Sequence, residues 1–313
     1  MKKKILITGV AGFIGFSFAL KLLKNNHQVI GLDNLDNYYS VKLKKKRLKE
    51  LNKFKNFSFF KLNIEKENFF KKLRKKKIDH IFHFAAQAGV RYSLVNPKKY
   101  VYTNILGTIN VFRFAVLKKT KSVFFASSSS VYGDSKKFPQ KETNQLSPKN
   151  IYATSKIINE IVAKSFSNNF KIKIYALRFF TIYGEWGRPD MLLFKIMKNS
   201  IIGSELKLNN KGNHFRDFTY INDVTDILYL LLYKKINKKF DVYNISSNNP
   251  QSIKKIINNF KKNFSKLKVK NVSRNNLDVF KTHGDNKKIL KLLNFKKFKK
   301  FNKGIRETYS WYK

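Results

Sequence analysis

Gly9-Val-Ala-Gly12-Phe-Ile-Gly15 directly follows the apolar run Lys4–Thr8 and opens a helical stretch over Phe13–Lys24. Few folds accept a strand, a glycine turn and a helix in such quick succession. The glycines allow a tight turn, close approach of the backbone to a pyrophosphate, and close packing of helix on strand. Gly9, Gly12, Phe13, Ile14 and Gly15 are therefore candidate contacts for a dinucleotide cofactor. Asp33 ends the next strand, 18 residues after Gly15, and Asn34 follows it. A carboxylate there can accept from both ribose hydroxyls and would repel a 2′-phosphate, favouring NAD over NADP. A plain turn aspartate is the alternative.

The same alternation continues for the first 180 residues. Strands are expected at Lys4–Thr8, Gln28–Leu32, Phe57–Leu62, His80–Phe84, Ser122–Ala126 and Ile172–Leu177. Helices are expected at Phe13–Lys24, Pro97–Lys118 and Ile151–Ser167. Asn96-Pro97 makes a good helix start, a capping side chain before a first-turn proline. Repeated βαβ units imply an α/β chain with a Rossmann-type, doubly wound parallel sheet whose ligand sits at the carboxyl ends of the strands. From about Thr181 the loops lengthen, with helices expected at Val224–Tyr233, Ile253–Phe264 and the C-terminus. We expect a cofactor domain over 1–180, to which part of 215–240 returns. A smaller, interleaved α/β substrate-binding lobe is expected over 181–313.

Composition excludes some chemistry. There is no cysteine, which removes disulfides, thiolate nucleophiles and cysteine-bound metals. His27, His80, His83, His214 and His283 show no ligand spacing, so no metal site is expected. The net charge of +47 comes from 57 lysines and nine arginines, accompanied by 30 phenylalanines. Phosphate-backbone recognition favours arginine forks in a clustered stripe, whereas these lysines occur in nearly every segment. No specific nucleic-acid partner is expected, and the runs Lys42–Arg47 and Lys71–Lys77 read as solvated helix faces. The apolar stretch Ile5–Leu20 is short of the ~20 residues a spanning helix needs and carries glycines. A cytoplasmic chain outside the membrane is the expectation.

Tyr152-Ala-Thr-Ser-Lys156 places a phenol and an ammonium at i and i+4, on one face of a helix. An ammonium there can lower a tyrosine pKa that is about 10 in water, making a proton acceptor for an alcohol. Alone the pattern is common on exposed helices. The upstream serine run Ser127–Ser130 supplies the context.

Together, the GxxGxxG turn and YxxxK resemble the extended short-chain dehydrogenase/reductase superfamily, in particular its NAD-dependent epimerase/dehydratase family. The resemblance spans essentially the whole chain. It implies that Phe84, Ala85, Ala86 and Gln87 pass the cofactor's pyrophosphate and ribose, and that Asn104 maintains the active-site architecture. It also makes Ser127 and Phe179 cofactor contacts. In that family an aspartate before an aliphatic residue reads the adenine amino group. Asn63-Ile64 stands there in this chain, and the amide oxygen can still accept.

Three segments look like UDP-glucuronate 4-epimerases: Gln87–Ser93, Leu177–Met191 with its Trp186-Gly-Arg-Pro-Asp-Met191, and Phe215–Ile221. Glu185 replaces the usual proline before the tryptophan. The likeness implies that Thr181 and Arg188 meet a sugar carboxylate and that Arg216 meets the diphosphate. Arg91, Ser129 and Asp278 are further substrate candidates. Arg91 and Arg216 could instead make surface ion pairs. By the same likeness, Tyr152 takes the proton of a sugar 4-hydroxyl while C4 gives a hydride to NAD, Ser128 steadies the oxygen, and Lys156 holds the nicotinamide ribose. Ser127 and Ser129 stay open for the role given to Ser128.

The expected substrate pair is UDP-glucuronate and UDP-galacturonate, and a homodimer is expected by analogy. A UDP-glucose/UDP-galactose 4-epimerase or another nucleotide-sugar epimerase or decarboxylase is the alternative. The distant alternative is an inactive NAD sensor or nucleic-acid binder.

Overall fold

A computed structural model describes residues 2–263, 266–273 and 278–313. Its main sheet has seven strands, all parallel: β1 Lys4–Thr8, β2 Gln28–Asp33, β3 Phe57–Lys61, β4 His80–His83, β5 Ser122–Ser128, β6 Ile174–Phe179 and β10 Phe240–Ile245. Their spatial order is β10-β6-β5-β4-β1-β2-β3. The order reverses between β1 and β4, so the crevice of a doubly wound sheet opens at their carboxyl ends. Apolar layers cover both faces: Ile5, Ile7, Val29 and Phe82 lie in one, Leu6, Ile30, Ile81 and Phe125 in the other. This two-sided burial explains why the strands read as near-continuous apolar runs.

The expected strands are all present, with ends shifted by no more than two residues. Helix α1 Phe13–Lys24 packs on the sheet directly after the glycine turn. The single helix expected over Pro97–Lys118 is instead α-helical over Pro97–Tyr100, π-helical over Val101–Leu106, and α-helical again over α3 Gly107–Leu117. One wide turn in the middle changes which side chains face the crevice, a device frequent at functional sites. Helix α4, Ile151–Asn169, is capped by the Asn150 side chain, which accepts from the Ala153 amide at 2.9 Å.

The run Lys42–Arg47 departs from expectation. It lies in α2, Val41–Leu51, but only part of it is solvated: Lys44 is buried and Arg47 is 0% exposed. Arg47 finds backbone carbonyls to donate to, which a pattern of charges along a helix does not reveal. Lys71–Lys77 does keep its lysines exposed.

The rest of the chain builds over the strand ends. β9 Phe215–Tyr220 runs parallel to β7 Thr181–Tyr183 and antiparallel to β11 Pro250–Ser252. β8 Glu205–Asn209 pairs in parallel with β12 Lys268–Val272. Helix α5 Leu192–Ile202 precedes β8, helix α6 Ile221–Tyr233 returns against α1, and β10 joins the main sheet beside β6. Helix α7 is described over Ile253–Asn263, and Phe264 of the expected helix lies outside the described residues. Helix α8, Phe301–Tyr312, closes the chain. Among the described residues no helix is long and apolar enough to cross a membrane, and no cluster of His, Asp or Glu could hold a metal.

Candidate active site

A cleft of about 1000 Å³ runs along the carboxyl ends of the strands. At one end is the glycine turn. Gly9 has φ +71° and donates to the Leu32 carbonyl at 2.7 Å. A β-carbon at Gly15 would lie 2.2 Å from the Gly9 carbonyl oxygen, so only glycine lets α1 begin this close to β1. The two Asp33 oxygens accept from the amides of Ala11 at 3.0 Å and Leu35 at 2.8 Å. Burial pushes the Asp33 carboxyl up, while the Leu35 amide and the nearby Lys44 ammonium pull it down. Each oxygen keeps a lone pair for a ligand hydroxyl.

Further along, Asn63 is tied to Glu65: its Oδ1 accepts from the Glu65 amide and its Nδ2 donates to the Glu65 carboxylate, both at 3.1 Å. Asn104 lies in the π-helical turn and is fully buried. Its Oδ1 accepts from the Gln87 amide at 2.7 Å, and its Nδ2 donates to the Gln87 carbonyl and to Ser155 Oγ. Asn104 thus holds the loop after β4 to α4. It is the one candidate that does not line the cleft; Gly9, Gly12, Phe13, Ile14, Gly15, Asp33, Asn34, Asn63, Ile64, Phe84–Gln87, Ser127 and Phe179 all do.

The serine run, Tyr152 and Lys156 meet at the middle of the cleft. Ser127 donates to Glu160 at 2.5 Å, beneath the cleft floor. Ser128 Oγ donates to Ser130 Oγ and accepts from the Ser130 amide, both at 3.1 Å. Lys156 reaches the neighbouring strand. Its Nζ donates to the Ala126 carbonyl at 2.8 Å and stands 5.8 Å from the centre of the Tyr152 ring. Burial pushes the Tyr152 phenol up, and the Ser128 hydroxyl and the Arg188 charge are what pull it down. Lys156 is itself lowered to about 8 by burial, with Glu160 opposing.

Behind this centre Arg178 donates to both Glu160 oxygens, at 2.9 Å through Nε and 2.7 Å through Nη2. Its Nη1 reaches Tyr132 Oη at 2.9 Å. Thr8 and Thr108 bracket the buried His83 ring, which burial lowers to about 3, so it stays neutral.

On the far side Thr181, Ser129, Arg188, Arg91, Arg216 and Asp278 line the wall. Arg188 is gripped by Asp190, Nε to Oδ1 at 3.0 Å and Nη2 to Oδ2 at 2.5 Å. Its guanidinium lies 5.9 Å from the ring centre of Tyr38 and 5.8 Å from that of Tyr39. Arg91 and Asp278 pair with each other at 2.9 Å across the cleft mouth, and Asn209 also donates to Asp278. Arg216 donates to the carbonyls of Phe215 and Phe280.

Sequence reasoning missed Tyr38, Tyr39, Arg47, Glu160 and Asp190. A weak signal for Arg47 existed: with nine arginines against 57 lysines, an arginine invites a search for a place where lysine does not serve, although Arg74, Arg113 and Arg306 lie on the surface. Arg47, Arg91, Arg178, Arg188 and Arg216 all lie at the cleft or directly behind it.

The family model described as GDP-mannose 4,6 dehydratase matches residues 6–308. The chain belongs to the NAD-dependent epimerase/dehydratase family. Among curated members, uncharacterized protein MJ1055 of Methanocaldococcus jannaschii is 41% identical, covering 99% of this chain and 96% of the relative. The UDP-glucuronate 4-epimerase of Thermodesulfobacterium geofontis is 36% identical, covering 98% and 95%. Among solved family structures, UDP-glucuronic acid 4-epimerase from Bacillus cereus, in complex with UDP-glucuronic acid and NAD, superposes with a TM-score of 0.92. It is 30% identical over 98% of both chains.

Proposed function

We propose that the protein is an NAD-dependent nucleotide-sugar 4-epimerase whose substrates are UDP-glucuronate and UDP-galacturonate. The observation that carries this is the convergence of Ser128, Tyr152 and Lys156 with the Arg188 guanidinium in one cleft, close enough that the Arg188 charge acts on the Tyr152 phenol. The named epimerases of the same family support it.

The residues at the glycine end fit a dinucleotide: Gly9 and Gly15, where a β-carbon would strike the Ala85 amide and the Gly9 carbonyl, keep the turn tight against the start of α1, and Asp33 presents a carboxylate where a ribose would lie. When bound, NAD⁺ supplies the hydride acceptor and donor for C4. The protein's part is to handle the proton and hold the oxygen. Tyr152, as phenolate, takes the 4-hydroxyl proton and returns it to the opposite configuration after the 4-keto sugar has turned. Ser128 donates to the same oxygen and steadies its developing charge. Lys156, released from Ala126, holds the nicotinamide ribose. Arg188, with Thr181 beside it, receives the sugar carboxylate through charge-assisted bonds. Arg216 and Arg91 serve the diphosphate side, and Ser129 and Asp278 the remaining sugar and nucleotide contacts.

Turnover on the neutral sugars UDP-glucose and UDP-galactose is the second reading. It is favoured by the Asp190 grip, which already neutralises Arg188. Incubating purified protein with UDP-glucuronate and with UDP-glucose separately, without added reductant, distinguishes the two by NMR. Conversion of UDP-glucuronate to UDP-galacturonate is expected. Turnover of the neutral sugar alone would refute the carboxylate assignment, and release of CO₂ would mark a decarboxylase.

A homodimer is part of the proposal. Val101, Tyr102, Leu106 and Ile161 are large apolar side chains 40–64% exposed on two adjacent helical segments. Light scattering should return twice the 36.9 kDa chain mass.

A further inference from the structure

Arg47 has no role in the chemistry above, yet few side chains here are held by so many partners. It is fully buried and makes no ion pair among the described residues. Nη1 donates to the Ala11 carbonyl at 2.8 Å and to Tyr39 Oη at 2.9 Å. Nη2 donates to the carbonyls of Trp186 and Gly187, the latter at 3.3 Å. Nε is buried without a partner. A buried guanidinium without a direct ion pair, though the Asp33 carboxylate acts on it from nearby, is expensive, and an apolar side chain would fill the space more cheaply if packing were the only need.

Its partners belong to the two ends of the cleft. Ala11 sits inside the glycine turn, and its amide is held by Asp33, so one residue is fixed from both sides. Trp186 and Gly187 directly precede Arg188, and the ring of Tyr39 lies beneath the Arg188 guanidinium. The planar fork of an arginine can serve these acceptors together, whereas a lysine cannot hold the same geometry. We propose that Arg47 is a positioning residue that couples the cofactor turn to the Arg188 loop, so that each ligand finds its half of the cleft set by the other. This deepens the proposed function and rests on Arg188 receiving the sugar carboxylate.

The test compares Arg47→Lys with wild type in three measurements: thermal melting, NAD affinity by titration, and KM and kcat for UDP-glucuronate. Loss of the charge-assisted bond to the turn and of the three toward the Arg188 loop should weaken NAD and raise KM by about tenfold each, with kcat changing less. A variant that melts lower but keeps wild-type NAD affinity and KM has lost only packing, and the proposal falls. A shift confined to NAD or to KM overturns the coupling. If Arg47→Lys does not fold, Tyr39→Phe removes one acceptor and keeps the ring. It should raise KM by roughly threefold, and an unchanged KM overturns the proposal. Arg188→Gln, run in parallel, separates the underlying assignment. An unchanged KM there refutes the carboxylate role of Arg188, while NAD affinity in Arg47→Lys still decides whether Arg47 fixes the turn.

Discussion

Lys156 Nζ stands 5.8 Å from the centre of the Tyr152 ring while donating to the Ala126 carbonyl at 2.8 Å. The two residues share a helix face, yet the lysine's hydrogen bond goes to the strand. The proton chemistry of Tyr152 is then governed by burial, which raises it, against Ser128 and Arg188, which lower it.

A pH profile follows from that arrangement. Burial lowers Lys156 to about 8, so its ammonium is complete well below that pH and is lost as pH rises through it. The Tyr152 phenolate gains with pH, and burial holds the phenol above Lys156, so kcat/KM should rise with pH up to the Lys156 value and level off above it. Glu160 raises Lys156, and its removal in Glu160→Gln should move that levelling-off to lower pH. The same change strips Arg178 of its buried partner and should cost about 3–5 kcal/mol of stability, measurable by denaturant unfolding.

Asp190 competes for Arg188. With Nε and Nη2 both engaged, an incoming carboxylate must displace Asp190 or use what remains of the guanidinium. Asp190→Asn should lower KM for UDP-glucuronate by roughly three- to tenfold and leave neutral sugars little affected, since charge-assisted bonds exceed neutral ones. Steady-state kinetics on both sugars check this.

Asp33 sets cofactor choice. Asp33→Ala leaves the Ala11 and Leu35 amides without their acceptor and removes the charge that would repel a 2′-phosphate. NAD affinity should fall by about ten- to a hundredfold, and the preference for NAD over NADP should shrink. Titration with both nucleotides measures it.

Gly15→Ala would set a methyl 2.2 Å from the Gly9 oxygen, a contact relieved only by moving α1 off the sheet. A loss of about 1–3 kcal/mol is expected, together with loss of NAD retention. Thermal melting and assay of co-purifying nucleotide read the two effects.

Much of this was legible in the sequence because it depends on short-range chemistry. The glycine turn, Asp33, the serine run and Tyr152–Lys156 are each fixed within a few residues, and the parallel strands announce themselves by continuous apolar runs. The π-helical turn at Val101–Leu106 was not legible, because the stretch around it is apolar on several sides and hides the rotation that one extra residue makes. Arg47 escaped because its carbonyl partners lie far off, Gly187 being 140 residues away, and Lys44 because the loop that brings the Asp36 carbonyl back to it is set by tertiary packing. The Asp190 grip was hidden for the opposite reason: Arg188 and Asp190 stand two residues apart, and a loop conformation decides whether they meet.

The most direct test of C4 oxidation and return is an isotope experiment on UDP-[4-²H]glucuronate in ordinary water. The proposed chemistry keeps the hydrogen on the bound cofactor between its removal and its return, so the UDP-galacturonate formed should retain deuterium at C4. Washout of that deuterium to solvent, or full turnover by Tyr152→Phe in the same assay, would contradict it.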